Sequence, residues 1–195
     1  MLASASTARA GLLAAAGIDF RIEPAELDEG LLKQVRRARG RDAAECALAL
    51  AEAKARQVAE RCGRAAVDIG ADQLLVCGGV WFDKPADLRQ VRTQLQALRG
   101  RTHEVVAAVC AVQDGSRLWH AVSRSRLTMR NFTDVFLDDY IAAEGADVFG
   151  SVGAYRLEGK GVQLFEVIEG DHFAILGLPL LELLGFLRTK DMILP

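Results

Sequence analysis

Histidine is scarce in this chain and badly placed for metal. His103, His120 and His172 stand far apart and form no ligand cluster. Cysteine is equally sparing: Cys46, Cys62, Cys77 and Cys110 form no C-x-x-C pair and no zinc spacing. That excludes a thiolate metal centre and leaves free thiols suited to a reducing, cytoplasmic compartment. Long apolar runs are missing too, and none approaches the roughly 20 residues of a membrane span. The short Leu12–Ala16 stretch after Arg9 leads into the alternating Ile18-Asp19-Phe20-Arg21-Ile22 in place of a cleavage site, so a secretion signal is not expected. Surplus charge is absent: a formal net charge of −2 supplies no basic field for nucleic acid or an anionic membrane. Any anion must therefore be bound locally. No Pro/Ser-rich linker or internal repeat divides the 195 residues, which are expected to form a single domain over 1–195.

Several familiar chemistries are also missing. Gly153 to Gly161 invites a phosphate-loop reading, but five residues separate Gly153 from Gly159-Lys160, and Gly161 stands where Ser or Thr is required. No G-x-G-x-x-G follows a strand, and no G-x-S-x-G elbow presents a nucleophile.

What is present is a mixed α/β pattern. Met1-Leu2-Ala3 reads as the tail of a buried strand, followed by a helix with Leu12, Leu13 and Ala16 inward and Gly17 behind it. Ile18 to Ile22 alternates like a second strand. Asp42-Ala43-Ala44-Glu45 is a capping box that opens a strong helix, with Gly63 as its exit. Val67 to Phe82 predicts a hairpin turning at Gly78-Gly79, and Asp114-Gly115 predicts another between residues 105–112 and 118–129. Asp87-Leu88-Arg89-Gln90 starts a helix with Leu88, Val91, Leu95 and Leu98 inward. Further helices are expected at 134–144 and from Pro179 through Leu187, with a strand over Val162–Ile168.

Acids and cations in this pattern suggest a site for a metal-bound polyphosphate. Asp72 lies between two strand-like segments, where a carboxylate is costly to bury without a cation or donors. Lys54 shares a helix face with Ala47, Leu50 and Val58, so it points where the apolar residues point. Lys84 stands before Pro85 and a helix N-terminus. Ser4-Ala5-Ser6-Thr7-Ala8-Arg9 occupies a strand-to-helix junction, where hydroxyls and amides cradle phosphate. Asp28-Glu29 offers carboxylate oxygens to Mg²⁺. Taken singly, each has an ordinary alternative: a helix cap, a solvated acidic loop, or a lysine that snorkels to water.

Order and spacing are more specific than the parts. The series runs Ser-x-Ser-x-x-Arg, Asp28-Glu29, Ala51-x-Ala-Lys-Ala55, Gly70-Ala-Asp-Gln73 and Lys84-Pro85. It continues through Leu98-Arg-Gly-Arg-Thr-His103, Gly153-Ala-Tyr155, Glu158-Gly159, Glu169-Gly-Asp171 and Gly177-Leu-Pro179. The chain resembles the Maf family of nucleoside triphosphate pyrophosphatases, first described as septum-formation inhibitors, from Leu2 to about Leu187. Gly-Ala-Asp-Gln and Leu-Glu-Gly-x-Gly look closer to the branch acting on 7-methyl-GTP than to the dTTP/UTP branch. Thr7-Ala8, Asp83 and His172-Phe173-Ala174 depart from the family's usual residues.

The resemblance implies a mixed, strongly twisted sheet in two lobes around a central cleft, usually as a homodimer. It implies a cut between the α and β phosphates that depends on Mg²⁺, with Mn²⁺ as a substitute, and yields a nucleoside monophosphate and pyrophosphate. Ser4, Ser6 and Arg9 match its phosphate-binding opening, Gln73, directly after the catalytic acid, is expected to bind substrate too, and Glu158 matches the residue near the base. Lys54 and Lys84 match its phosphate lysines, Asp72 its catalytic acid and Glu29 its acidic site residue, with Asp72 and Glu29 also the expected metal ligands. Whether Asp72 holds metal or deprotonates water stays open at this point. The competing reading is a non-catalytic nucleotide-binding regulator of cell division, which retention of both acids and both lysines argues against.

Overall fold

Capping chemistry sets the longest helix. In the computed structural model, which describes residues 1–62 and 66–194, Glu45 N donates to Asp42 Oδ1 at 2.8 Å and Asp42 N donates to Glu45 Oε2 at 3.2 Å. This reciprocal box opens α3 (Ala43–Cys62) after α1 (Thr7–Ala15) and α2 (Glu29–Ala38). The expected exit, Gly63, lies outside the described residues. Beyond it come β1 (Asp68–Cys77), β2 (Val80–Phe82), α4 (Leu88–Leu98), β3 (Thr102–Gln113), β4 (Ser116–Met129), α5 (Asp134–Glu144), β5 (Phe165–Glu169), α6 (His172–Ile175) and α7 (Leu180–Thr189).

The five strands form one sheet in the order β2-β1-β3-β4-β5. β1 pairs antiparallel with β2 through Cys77↔Val80, and β4 with β5 through Leu127↔Ile168. Leu2 adds parallel bridges to Ile22 and Ile69, which makes the strand pairing mixed. Both expected hairpins are present, with Gly78 and Gly79 at φ 57° and 80° and Asp114 and Gly115 at 52° and 72°. Those left-handed backbones are the ones a two-residue hairpin turn requires. β3, in the middle of the order, is buried along almost its whole length, whereas β4 alternates between exposed and covered positions. A strand covered on both faces reads as a continuous apolar run, and one covered on a single face alternates.

Contacts divide the chain into two compact units: residues 1–73, 106–123 and 171–195, and residues 74–105 and 124–170. The mixed α/β class expected from the sequence is present, with five strands and seven α-helices among the described residues. The first unit has its core in Leu2, Leu13, Ile69, Val109, Leu178 and Leu183. In the second, Val91, Leu95 and Leu98 of α4 are buried, as are Leu137 and Tyr140 of α5. His103, Tyr155 and Phe165 form an aromatic cluster there, with His103 Nε2 3.0 Å from the Tyr155 hydroxyl.

Three expectations need correction. Residues 18–21 form no strand; only Ile22 bridges Leu2. Leu88 is half-exposed because the first turn of α4 stands clear of the face that Val91, Leu95 and Leu98 bury. The segment Lys160–Leu164 is a 3₁₀ turn, so β5 starts at Phe165.

Candidate active site

α3 delivers Lys54 to the interior by periodicity alone: Ala47, Leu50, Ala51 and Val58 are all buried on that helix, and so is Lys54. Its ammonium lies 2.5 Å from Asp72 Oδ1 and 2.8 Å from Glu29 Oε1. A buried lysine and a buried aspartate survive desolvation only as partners, and their pairing explains why both are tolerated there. Asp72 reaches this point from β1. The approach of strand to helix depends on Gly70, since a Cβ there would stand 2.0 Å from the Ala51 carbonyl oxygen. Gly70 is therefore a residue of the site's frame, although it brings no chemistry of its own.

Asp28 and Glu29, adjacent in sequence, do different work. Asp28 caps α2, accepting from Leu31 N at 2.9 Å, while Glu29 in the first turn reaches Lys54. Asp72 keeps one feature unspent: its Oδ2 is buried and without a hydrogen-bond partner. A carboxylate oxygen in that state is primed for a cation or a water proton.

The opening segment supplies a second cation. Ser6 caps α1, accepting from Arg9 N at 3.4 Å, and Ser6 N donates to Ser4 Oγ at 3.2 Å. The Arg9 side chain turns back, with Nη1 donating to Ser4 Oγ at 3.2 Å and Nε to the Gly177 carbonyl at 2.8 Å. Burial pulls the Arg9 pKa down, and the negative charges of Asp72 and Glu29 oppose that shift. The electrostatic coupling ties Arg9 to the same two acids that hold Lys54. Gln73 is placed differently. Alternation along β1 turns it away from the face of Asp72, and its Nε2 donates to the carbonyls of Ala174 and Ile175 at 3.1 and 2.8 Å. Its amide nitrogen thus closes the end of α6.

Ser4, Ser6, Arg9, Glu29, Lys54, Asp72 and Gln73 all belong to the first unit. Lys84 and Glu158 belong to the second. Lys84 is exposed in the segment after β2. Glu158 is exposed in a turn, with Oε1 3.5 Å from Arg156 Nε. Among the described residues no helix is long and apolar enough to cross a membrane, and no three His, Cys, Asp or Glu side chains gather into a cage for a metal. Sequence reading missed the Gly177 carbonyl as an anchor for Arg9, because a backbone acceptor leaves no signature in residue type.

A family model described as Maf-like protein matches residues 1–190. The chain is 54% identical over 191 residues to a protein of Granulibacter bethesdensis named nucleoside triphosphate pyrophosphatase, covering 98% of this chain and 96% of that one. A Paramagnetospirillum magneticum protein of the same name is 53% identical over the full length of both chains. A Mesorhizobium japonicum protein named 7-methyl-GTP pyrophosphatase is 47% identical, covering 99% of this chain and 96% of that one.

Proposed function

We propose, from the premise that this chain belongs to the Maf-like protein family, that it is a nucleoside triphosphate pyrophosphatase whose reaction is organised around Asp72. One observation carries the assignment of roles. Lys54 occupies one oxygen of Asp72 and leaves the other buried and unpartnered. A carboxylate clamped in this way has one direction in which to take a proton.

In the reaction, water attacks the α-phosphorus of the triphosphate and gives up a proton to Asp72. The bond between the α-phosphorus and the oxygen leading to the β-phosphate breaks. Its electron pair leaves with pyrophosphate, and a nucleoside monophosphate remains. Lys54 and Arg9 supply fixed positive charge for the phosphate oxygens, and fixed charge needs little reorganisation as negative charge develops. Ser4 and Ser6 present hydroxyls at the N-terminal end of α1, an end that favours anions. Lys84 serves as a further phosphate lysine and Glu158 as the residue that reads the base.

The donor set fits a divalent cation, Mg²⁺ with Mn²⁺ as substitute. Asp72 and Glu29 offer hard carboxylate oxygens, and Asp72 Oδ1 and Glu29 Oε1 already converge on one cationic centre, the Lys54 ammonium. Two protein carboxylates completed by substrate phosphates and water is the usual way such an ion is held. When bound it supplies Lewis-acid polarisation and charge neutralisation at the phosphates.

Among triphosphates, 7-methyl-GTP is the favoured substrate in this reading. Its base carries a positive charge that the Glu158 carboxylate would favour, and a relative 47% identical bears that substrate in its name. The four free cysteines support a cytoplasmic setting, and a homodimer is the assembly the family resemblance leads us to expect. Product analysis on purified protein tests the activity, using a nucleotide panel with EDTA and then excess Mg²⁺. Monophosphate and pyrophosphate should appear only with the divalent ion. Release of inorganic phosphate, or undiminished turnover in EDTA, would overturn the assignment.

A further inference from the structure

Glu144 is a carboxylate in an unfavourable place. It ends α5, where the negative pole of the helix disfavours an anion, and its side chain is only 6% exposed. Such a group persists where donors meet it. The donors found for it come from one loop, residues 156–161. Lys160 N donates to Oε1 at 2.7 Å and Arg156 Nη1 to Oε2 at 3.3 Å. Gly159 lies against the same carboxylate, since a Cβ there would stand 2.5 Å from Oε1. Gly161 folds onto the Arg156 backbone, with room for no side chain, as its Cβ would come 2.3 Å from the Arg156 carbonyl oxygen. Arg156 passes the constraint on: Nη1 also donates to Asp147 at 2.6 Å, and Nε faces Glu158 Oε1 at 3.5 Å.

Resting on the reading of Glu158 given above, we propose that Glu144 is the positioning residue for base recognition. It holds the Arg156 guanidinium and the Lys160 backbone, and through them sets the direction in which Glu158 presents its carboxylate. Glu144 itself touches no substrate. Burial alone would make it a stabilising residue. The loop contacts give it a second consequence, which falls on discrimination between bases and leaves the chemistry of phosphate cleavage untouched.

The test is kcat/KM for 7-methyl-GTP and for UTP in the full chain, compared across wild type, Glu158→Gln, Glu144→Gln, Arg156→Gln and the double variant Glu144→Gln/Glu158→Gln. Glu144→Gln keeps an acceptor for Lys160 N and loses the charge that holds Arg156. Each single variant should lower the 7-methyl-GTP to UTP ratio by roughly tenfold, the scale of a lost charged hydrogen bond. UTP turnover should stay near wild type in Glu144→Gln and Arg156→Gln, and the double variant should fall no further than Glu158→Gln alone. If Glu158→Gln leaves the ratio unchanged, the base-reading role itself fails and the proposal goes with it. If Glu158→Gln lowers the ratio while Glu144→Gln and Arg156→Gln do not, only the positioning role is overturned. Additive losses in the double variant, or equal losses on both substrates in Glu144→Gln, overturn it as well. Should Glu144→Gln fail to fold, Arg156→Gln against Glu158→Gln gives the same decision.

Discussion

Lys54→Met removes the cation from between two acids and leaves the helix face apolar. Asp72 then sits buried with neither oxygen partnered, because Oδ2 has no partner already and Oδ1 loses the ammonium at 2.5 Å. Breaking a buried pair by deleting one member costs about 3–5 kcal/mol, most of it the desolvation of the charge left behind. Glu29 adds little to this figure, since its side chain is 43% exposed and turns to water. The expected loss at pH 7 is therefore about 3–5 kcal/mol. Urea unfolding measures it. The decisive comparison is the double variant Lys54→Met/Asp72→Asn, which removes the orphaned charge and should recover about 2 kcal/mol relative to Lys54→Met. Hydrolysis should remain lost in both. If Lys54→Met unfolds within about 1 kcal/mol of wild type, the range of an ordinary surface pair, the buried-pair reasoning is wrong.

Three further outcomes are expected. Asp72→Asn should stay folded and lose on the order of 10²-fold in kcat, the usual scale for an acid–base group; a wild-type rate would remove Asp72 from the mechanism. Burial holds His103 at about 4 against an ordinary 6.5, so the folded state binds fewer protons between those values. Stability should then decline by roughly 3 kcal/mol as pH falls from 6.5 to 4, and His103→Gln should flatten that decline in thermal melts across the window. Gly70→Ala places a methyl 2.0 Å from the Ala51 carbonyl oxygen. It should cost about 1–3 kcal/mol through overpacking and lower the rate per folded molecule, whereas an unchanged melt would show that strand and helix separate freely.

The elements with strong end signals were legible in the sequence. The Asp42 box and the Asp114-Gly115 turn fix their neighbours by local hydrogen bonding and backbone sign, which residue type reports directly. α2 went unread although Leu31, Leu32 and Val35 recur at helical spacing, and the stripe they form buries no residue. Residues 18–22 alternate convincingly, yet a strand needs a neighbour, and only Leu2 is there to bridge Ile22. In the site, Lys54 was foreseeable from helical spacing, and its partnership with Asp72 followed from charge. Residue type could not separate Asp28 from Glu29; the resemblance singled out Glu29, and the helix start makes Asp28 the cap while Glu29 reaches Lys54. Gln73 shows the same limit: strand alternation sends it to α6, and a motif that names Asp72 and Gln73 together hides that they face apart.

The bond between Arg9 and the Gly177 carbonyl joins residues 168 positions apart, and this has a consequence for biosynthesis. The first unit is assembled from three separate stretches of chain, the last beginning at residue 171. On the ribosome, where chains emerge at about 5–20 residues per second, Arg9 is made 168 residues before its acceptor. Until the last stretch emerges, a nascent chain has the serines and the arginine but no acceptor to aim the guanidinium. Contacts of such long sequence separation form late and slowly. Arg9 should therefore be set only as the newly made chain completes its fold.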